Sequence, residues 1–447
     1  MRRRPVLYDY VIVGGGSAGC VLANRLSADP AIRVCLLEAG KADTSPVLHI
    51  PAGTALTLPG RYHNWAFQTE PQLGLNGRRG YQPRGKVLGG SSAINAMIYI
   101  RGHPSDYDHW AALGNEGWSY REVLPYFLKA ENNERGAGPY HGVGGPLNVA
   151  DLRSPQPVTL AFLEAAAQAG FPRTDDFNGP QMEGVGLYQV TQVNGERCSV
   201  AKAYLNPVRG RGNLTVLTRA NATRILFQGR RAVGVEYRQG GKTHIVSVRR
   251  EVLLSAGALQ SLLLSGVGPR RELERHGIPI VHELPGVGEN LQDHIDYVAC
   301  YRSKSKELFG FSPSGAVQLL RAWREYRRQR TGLLTTNYAE AGGFLRTDPA
   351  LELPDVQLHF VIGIVDDHSR KLHFGHGYSC HVCVLRPRSR GRVALHGPDP
   401  LAPPLIDPNY FGEEEDLETL LRGYKLMRQI MEAPASAARI MSATAVA

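Results

Sequence analysis

Near the amino terminus, apolar positions follow two different spacings. Residues 11–13 form a short apolar run that ends at a glycine-rich turn, and residues 34–37 form a second run. Between them, apolar side chains recur at helical spacing, at Ala18, Val21, Leu22 and Leu26. Short continuous apolar runs are typical of buried strands in parallel sheets. The pattern predicts a strand, a helix ended by Asp29-Pro30, and a second parallel strand.

The turn and the end of the second strand carry candidate chemistry. Gly14, Gly16 and Gly19, with Ser17 between them, have the GxGxxG spacing that lets backbone N–H groups approach a pyrophosphate and lets the helix pack closely. Glu38 follows about 20 residues after the last glycine, where a carboxylate accepts hydrogen bonds from ribose hydroxyls and repels a 2′-phosphate. This unit is predicted to bind the ADP part of a dinucleotide.

A second segment rich in glycine, serine and alanine spans residues 85–97. Its small side chains allow the backbone to approach a flat ligand closely. Ile94, Met97 and two further isoleucines make it unlike a flexible linker. We predict that it forms a wall against a planar group.

With these motifs and others dispersed from residue 8 to about residue 435, the chain resembles the glucose-methanol-choline (GMC) oxidoreductases, flavoproteins that oxidise alcohols, and most of all their choline and alcohol dehydrogenase branch. The further motifs lie at residues 62–65, 107–110, 117–120, 172–176, 232–236, 284–294, 340–344 and 406–410. The resemblance implies an α/β fold in which a Rossmann-like FAD-binding domain, residues 5–298, precedes a substrate cap with an antiparallel sheet, residues 299–435. Residues 436–447 then form an unmatched tail.

The resemblance also implies where FAD binds. Its pyrophosphate is expected on Gly14, Gly16, Ser17 and Gly19, its ribose on Glu38, its adenine at the backbone of Ala222, where relatives have valine, and its isoalloxazine on Val87, Gly90 and Asn95. Some members tether the flavin through a histidine just before this asparagine. That position is Ile94, which has no nucleophile, so we expect FAD to be bound non-covalently.

The catalytic base of the family is a histidine far toward the carboxyl end. Because the recognisable match fades after residues 431–435, we expect a truncated chain and assign no catalytic residue. The late histidines are expected to be surface or hydrogen-bonded residues of the cap, at His359, His373, His376, His381 and His396. Relatives also carry about one more helical turn where residues 255–262 stand, and this loss could weaken FAD binding.

Composition limits the other function classes. The chain has 447 residues, 43% of them hydrophobic, and a net charge of +10 from dispersed arginines, which is typical of a soluble globular protein without a nucleic-acid-binding face. We predict no transmembrane helix and a cytoplasmic location, although the basic surfaces leave peripheral membrane contact open. We also predict no metal site, and this includes the pair Cys380 and Cys383. In the arginine-rich helix at 316–330, a stripe of larger side chains is expected to be buried rather than lipid-binding: Leu319, Leu320, Trp323 and Tyr326.

Three functions are compatible with the sequence. The first is FAD-dependent oxidation of the CH–OH group of an alcohol, and the second is flavin binding without catalysis in a remnant of such an enzyme. The third is a nicotinamide-dependent dehydrogenase, but it leaves the 85–97 wall unexplained. Trp65, Tyr338 and Glu340 could surround the quaternary ammonium of choline. The sequence leaves the particular alcohol, the electron acceptor and the oligomeric state open.

Overall fold

The computed structural model describes residues 7–257, 260–303, 305, 308–437 and 442–446. The missing helical turn predicted near residues 255–262 falls partly on residues 258 and 259, which lie outside the described residues. The strands are β1 Leu7–Val13, β2 Val34–Glu38, β3 Phe67–Gln68, β4 Tyr81–Gln82, β5 Glu131–Asn133, β6 Leu147–Val149, β7 Gly184–Leu187, β8 Gln192–Val193, β9 Glu196–Arg197, β10 Leu214–Thr218, β11 Asn221–Gln228, β12 Arg231–Gln239, β13 Lys242–Leu254, β14 Val267–Gly268, β15 His282–Glu283, β16 Asp296–Ser303, β17 Gly310–Phe311, β18 Ala339–Leu345, β19 Val356–Val361, β20 Gly375–Val384, β21 Arg392–Ala394, β22 Leu405–Asp407 and β23 Ser442–Val446.

The α-helices are α1 Ser17–Leu26, α2 Pro46–His49, α3 Thr54–Thr57, α4 Pro104–Ala112, α5 Tyr120–Ala130, α6 Pro157–Gln168, α7 Gln260–Leu263, α8 Arg270–Arg275, α9 Pro313–Gln329, α10 Glu414–Glu432 and α11 Pro434–Ala437. Shorter turns of other helix types occur at Pro51–Gly53, Leu73–Leu75, Gly90–Ala93, Ala201–Leu205, Asn206–Val208, Leu333–Thr335 and Asp367–Ser369. Both the predicted helix and the two predicted strands of the first unit are present, as α1, β1 and β2.

The first large sheet, the nucleotide sheet, has the strand order β10-β2-β1-β13-β12-β11. Its first four strands are parallel, and β12 and β11 are antiparallel. The long strand β13 joins the two parts, because its first half pairs with β12 and its second half pairs with β1. All five residues of β2 are buried, which explains their continuous apolar run.

The second large sheet, the cap sheet, has the antiparallel order β23-β16-β20-β19-β18-β7. Helices α6 and α10 cover one face, where Phe162 stacks on Phe360 with ring centroids 4.6 Å apart. Helix α10 approaches closely at Gly423, since a Cβ there would lie 2.9 Å from the Val356 and Val382 side chains. The two sheets confirm the predicted α/β class with an antiparallel cap sheet.

Helix α9 corrects one expectation. Only Ala322 and Tyr326 are buried along it, whereas Leu319, Leu320 and Trp323 are each 44–65% exposed. Residues four positions apart share a helix face, so α9 packs through the narrow face of Ala322 and Tyr326 and turns the larger side chains outward. The predicted buried stripe is therefore wrong except at Tyr326. Within the described residues, no helix has the length and apolar character needed to cross a membrane.

Candidate functional site

The glycine turn between β1 and α1 is shaped by close backbone contacts. Gly14 has a φ of +99°, and a Cβ there would lie 2.5 Å from the Ser255 carbonyl oxygen. A Cβ on Gly19 would overlap the Gly14 carbonyl oxygen. Gly16 is different, because a Cβ there would meet only the Gly90 Cα, at 4.0 Å. The protein thus needs Gly14 and Gly19 for its own packing and leaves space beside Gly16 for a ligand, next to the unsatisfied N–H groups of the first turn of α1.

Glu38 ends β2 with its carboxylate buried. One oxygen accepts from the Gly15 N–H at 2.8 Å and the other from the Gly40 N–H at 2.6 Å. Burial raises the pKa of Glu38 to about 7, although both hydrogen bonds and Lys86 act in the opposite direction. Because the Glu38 carboxylate is shielded from water, each further hydrogen-bond donor stabilises its charged form. The hydroxyls of a ribose are such donors.

A cavity of about 250 Å³ opens beside Glu38 at Ala39 and Gly40. Its wall is strongly basic, with four cationic side chains from separate segments: Lys41, Arg61, Lys86 and Arg219. His63 lines the same cavity with 8% of its surface exposed, and neither ring nitrogen has a hydrogen-bond partner in the described part of the chain. Burial and then Lys41 lower the pKa of His63. The cavity therefore offers the two His63 ring nitrogens as hydrogen-bonding groups, surrounded by positively charged side chains.

Ala222 is the second residue of β11 and follows three residues after Arg219, which lines this cavity. The preceding loop is fastened to the end of β2, because the Ala220 N–H donates to the Glu38 carbonyl at 2.8 Å and the Arg219 N–H donates to the Gly40 carbonyl at 2.7 Å. The structure thus brings together Glu38 and the segment of Ala222, which are far apart in sequence.

The second small-residue segment packs directly on the glycine turn. The Gly89 N–H donates to the Gly15 carbonyl at 2.7 Å, and a Cβ on Gly90 would lie only 2.8 Å from the Gly16 Cα. Val87 is fully buried. Ile94 is 2% exposed and packs into an apolar cluster with Val87 and Leu48.

Arg197 holds this segment from behind, a role that sequence reasoning missed. Its guanidinium is 2% exposed and donates to the carbonyl oxygens of Leu48, Ser92 and Asn95, to the Asn95 side-chain oxygen, and to the Thr54 hydroxyl. None of these acceptors is a carboxylate, and burial lowers the pKa of Arg197 to about 9. Asn95 therefore has its side-chain oxygen occupied by Arg197 at 2.8 Å and by the Met97 N–H at 3.0 Å. No motif marked Arg197, since its partners are neutral and mostly backbone.

The face of the cap sheet opposite α6 and α10 carries the polar side chains of Gln357, His359 and His381 beside the apolar Phe344. On β20, His381 bonds to Asp296 through Nδ1 at 2.7 Å, and its register partner on β19 is His359. The Nδ1 atom of His359 has no partner among the described residues, and desolvation, with His381, lowers the pKa of His359. His373 and His376 are hydrogen-bonded, to Asp366 and to the Leu308 carbonyl, and His396 is exposed. Both histidines thus have a ring nitrogen without a partner in the described part of the chain, Nδ1 of His359 and Nε2 of His381.

The three residues considered for a quaternary ammonium are each engaged by their own neighbours. The Lys86 Nζ lies 3.8 Å from the centre of the Trp65 ring. The Tyr338 hydroxyl donates to the Ala52 carbonyl. Glu340 is 1% exposed and accepts hydrogen bonds from the Gln156 N–H and from two threonine hydroxyls, of Thr159 and Thr336. The structure does not join them into a cage.

Comparison with known proteins matches both ends of the chain to one family. Residues 8–296 match the N-terminal part of the GMC oxidoreductases, and residues 387–446 match the C-terminal part. The chain belongs to the GMC oxidoreductase family. An alcohol dehydrogenase [acceptor] of Pseudomonas putida is 48% identical over 441 residues, which cover 96% of this chain and 79% of the relative. The mitochondrial choline dehydrogenase of Homo sapiens is 43% identical over 95% of this chain and 73% of its own length.

Solved structures agree with this GMC assignment. Pyridoxine 4-oxidase from Mesorbium loti has a TM-score of 0.85 at 33% identity, covering 98% of this chain and 83% of its own. Formate oxidase of Aspergillus oryzae RIB40 has a TM-score of 0.89 at 25% identity with the same coverage. GMC oxidoreductases depend on FAD, which overturns the nicotinamide-dependent alternative. The space beside Gly16, the buried Glu38 and the unpartnered nitrogens of His63 fit the ADP half of FAD.

Proposed function

We propose that this GMC oxidoreductase binds FAD non-covalently and oxidises the CH–OH group of an alcohol to a carbonyl. When bound, FAD supplies the acceptor for the hydride that leaves the alcohol carbon. The observation that carries the proposal is the direct packing of the 85–97 wall on the glycine turn, at Gly15–Gly89 and Gly16–Gly90. This packing supports one continuous binding surface for a dinucleotide and a planar ring.

Each part of FAD would be bound by a different group of residues. Gly14, Gly16, Ser17 and Gly19 would hold the pyrophosphate at the N-terminus of α1, Glu38 the ribose, and the backbone at Ala222 the adenine. The wall of Val87, Gly90 and Asn95 would support the isoalloxazine. Non-covalent binding is supported by Ile94, whose side chain has no nucleophile and is buried in an apolar cluster.

We place the alcohol beside His359, on the face of the cap sheet opposite α6 and α10. This face is connected to the flavin wall, because Asn337, just before β18, donates to the Ala96 carbonyl at 3.0 Å. An alcohol that loses a hydride must also release its hydroxyl proton, so a proton acceptor must lie within hydrogen-bond distance of that hydroxyl. Burial lowers the pKa of His359, so its neutral imidazole would accept the hydrogen bond of the substrate hydroxyl.

Among the substrate classes in the names of the relatives, we propose an uncharged alcohol rather than choline. Trp65 already lies against the Lys86 ammonium, and Glu340 is used by three donors of its own chain. A quaternary ammonium would find neither group free.

We also propose the domain division at about residue 298. The nucleotide sheet uses only strands between Leu7 and Leu254. Five of the six strands in the cap sheet's order begin at Asp296 or later, and β7 is its one contribution from the earlier segment.

The test is the spectrum of the purified protein. A yellow preparation that releases its FAD into the supernatant after acid precipitation supports non-covalent binding. Anaerobic addition of a primary alcohol should then bleach the flavin without nicotinamide, and choline should bleach it far less. Retention of flavin without bleaching by any alcohol would instead establish the silent flavin-binding remnant, and folded protein that never takes up FAD would overturn the proposal.

A further inference from the structure

The outward face of α9 carries apolar side chains that the fold does not cover. Val317 is 48% exposed, Leu320 65% and Trp323 44%. These residues are three positions apart and follow one side of the helix. An isolated exposed leucine needs no explanation, but a row of them on one helix indicates a contact surface.

Arginines alternate with this row. Arg321, Arg324, Arg327 and Arg328 are all exposed, and none forms an ion pair within the described ranges. Glu325 is the only acidic residue of the helix, and it accepts a hydrogen bond from the Thr331 hydroxyl. The helix therefore presents aliphatic and aromatic side chains together with a strong positive charge.

More exposed apolar side chains lie at the N-terminal end of the helix. Phe311, which directly precedes the Ser312 N-cap, pairs with Phe374 in a backbone bridge. Phe374 is 82% exposed, Leu372 63% and Phe311 47%. We call these three residues, together with Val317, Leu320, Trp323 and the four arginines, the α9 surface.

We propose that the α9 surface binds the surface of an anionic lipid bilayer, with its apolar side chains in the headgroup region and its arginines on the lipid phosphates. Helices that lie in the membrane interface combine Trp, Phe and Leu with clustered Lys or Arg in this way. The alternative of a second copy is disfavoured by charge, because two α9 surfaces face to face would bring eight arginines together with only two glutamates.

The experiment is co-sedimentation of the full chain with vesicles. Binding to phosphatidylcholine vesicles that contain phosphatidylglycerol should be much tighter than to phosphatidylcholine alone, and it should weaken with salt. Each arginine near an anionic surface contributes about fivefold in affinity. Replacing Arg321, Arg324, Arg327 and Arg328 by glutamine should therefore reduce binding by about 100-fold or more, and Leu320→Ser with Phe374→Ser should reduce it by at least about tenfold.

The matched control replaces four exposed arginines elsewhere, Arg230, Arg238, Arg271 and Arg275, by glutamine, which changes the net charge equally. This control should retain most of the binding, and circular dichroism should show that all variants remain folded. The proposal is overturned if folded wild-type protein does not sediment with anionic vesicles, if both quadruple variants lose binding equally, or if the α9 surface variants only abolish self-association.

Discussion

Replacing Arg197 by methionine tests how the flavin wall is held. The substitution removes a guanidinium that makes five hydrogen bonds, and it takes a donor from the buried Leu48 carbonyl and from the partly buried contacts at Ser92 and Asn95. The buried Leu48 acceptor costs about 1–3 kcal/mol without its donor, and the hydrogen bonds to Ser92 and Asn95 contribute about 1 kcal/mol each, so the total cost is about 3–5 kcal/mol. Methionine is neutral, so the variant no longer bears the cost of burying an unpaired charge, and this offsets several kcal/mol of the loss. We expect a net loss of about 1–2 kcal/mol in the free energy of unfolding.

The same variant should lose FAD affinity, because Ser92 and Asn95 belong to the wall. Chemical denaturation followed by circular dichroism measures the first effect, and flavin retained per protein after gel filtration measures the second. Arg197→Lys keeps the charge but cannot span all five acceptors, so it should fall between wild type and Arg197→Met. As a control, Arg224→Met removes an exposed ion pair to Glu236 and should cost less than about 1 kcal/mol.

The reasoning would be refuted by a folded Arg197→Met variant with wild-type stability and full FAD content. In that case the cost of burying the Arg197 charge would equal the stabilisation from all of its hydrogen bonds, and the 85–97 wall would not depend on Arg197.

Three further predictions follow from the site. Gly90→Ala places a Cβ 2.8 Å from the Gly16 Cα at a φ of +55°, so it should separate the wall from the turn and lower FAD content severalfold, measured by absorbance. The pKa of Glu38 rises from 4.5 to about 7 on folding, so FAD-free protein should lose about 3 kcal/mol of stability as pH rises from 4.5 to 7, and Glu38→Gln should flatten that profile in denaturation curves. Glu340→Gln should lower the melting temperature, because the amide cannot accept all three hydrogen bonds, two from the start of α6 and one from Thr336; an unchanged melting temperature with a raised KM would show that Glu340 contacts substrate instead.

The ADP-binding unit could be predicted from sequence because its determinants are local. Gly14, Gly19 and the buried strand β2 are required by contacts within one β-α-β unit, and such requirements leave a readable pattern. The wall at 85–97 could likewise be predicted as a binding surface, because its small residues are consecutive in the sequence. That its ligand is an isoalloxazine ring was an inference from the family resemblance.

Other features needed the tertiary structure. Arg197 binds groups about 100 to 150 residues away, mostly backbone carbonyls, which every residue carries and which therefore leave no mark in a sequence. The periodicity of α9 showed which residues share a side, but not which side faces the core, so Leu320 and Trp323 were expected inside and lie outside. Glu340 has the charge to bind a cationic substrate, but its carboxylate accepts hydrogen bonds from Gln156 and Thr159 at the start of α6. Contacts inside one β-α-β unit leave a sequence pattern that indicates its ligand class. Which polar groups have partners, and which surfaces stay exposed, depends on contacts between segments that are far apart in the chain.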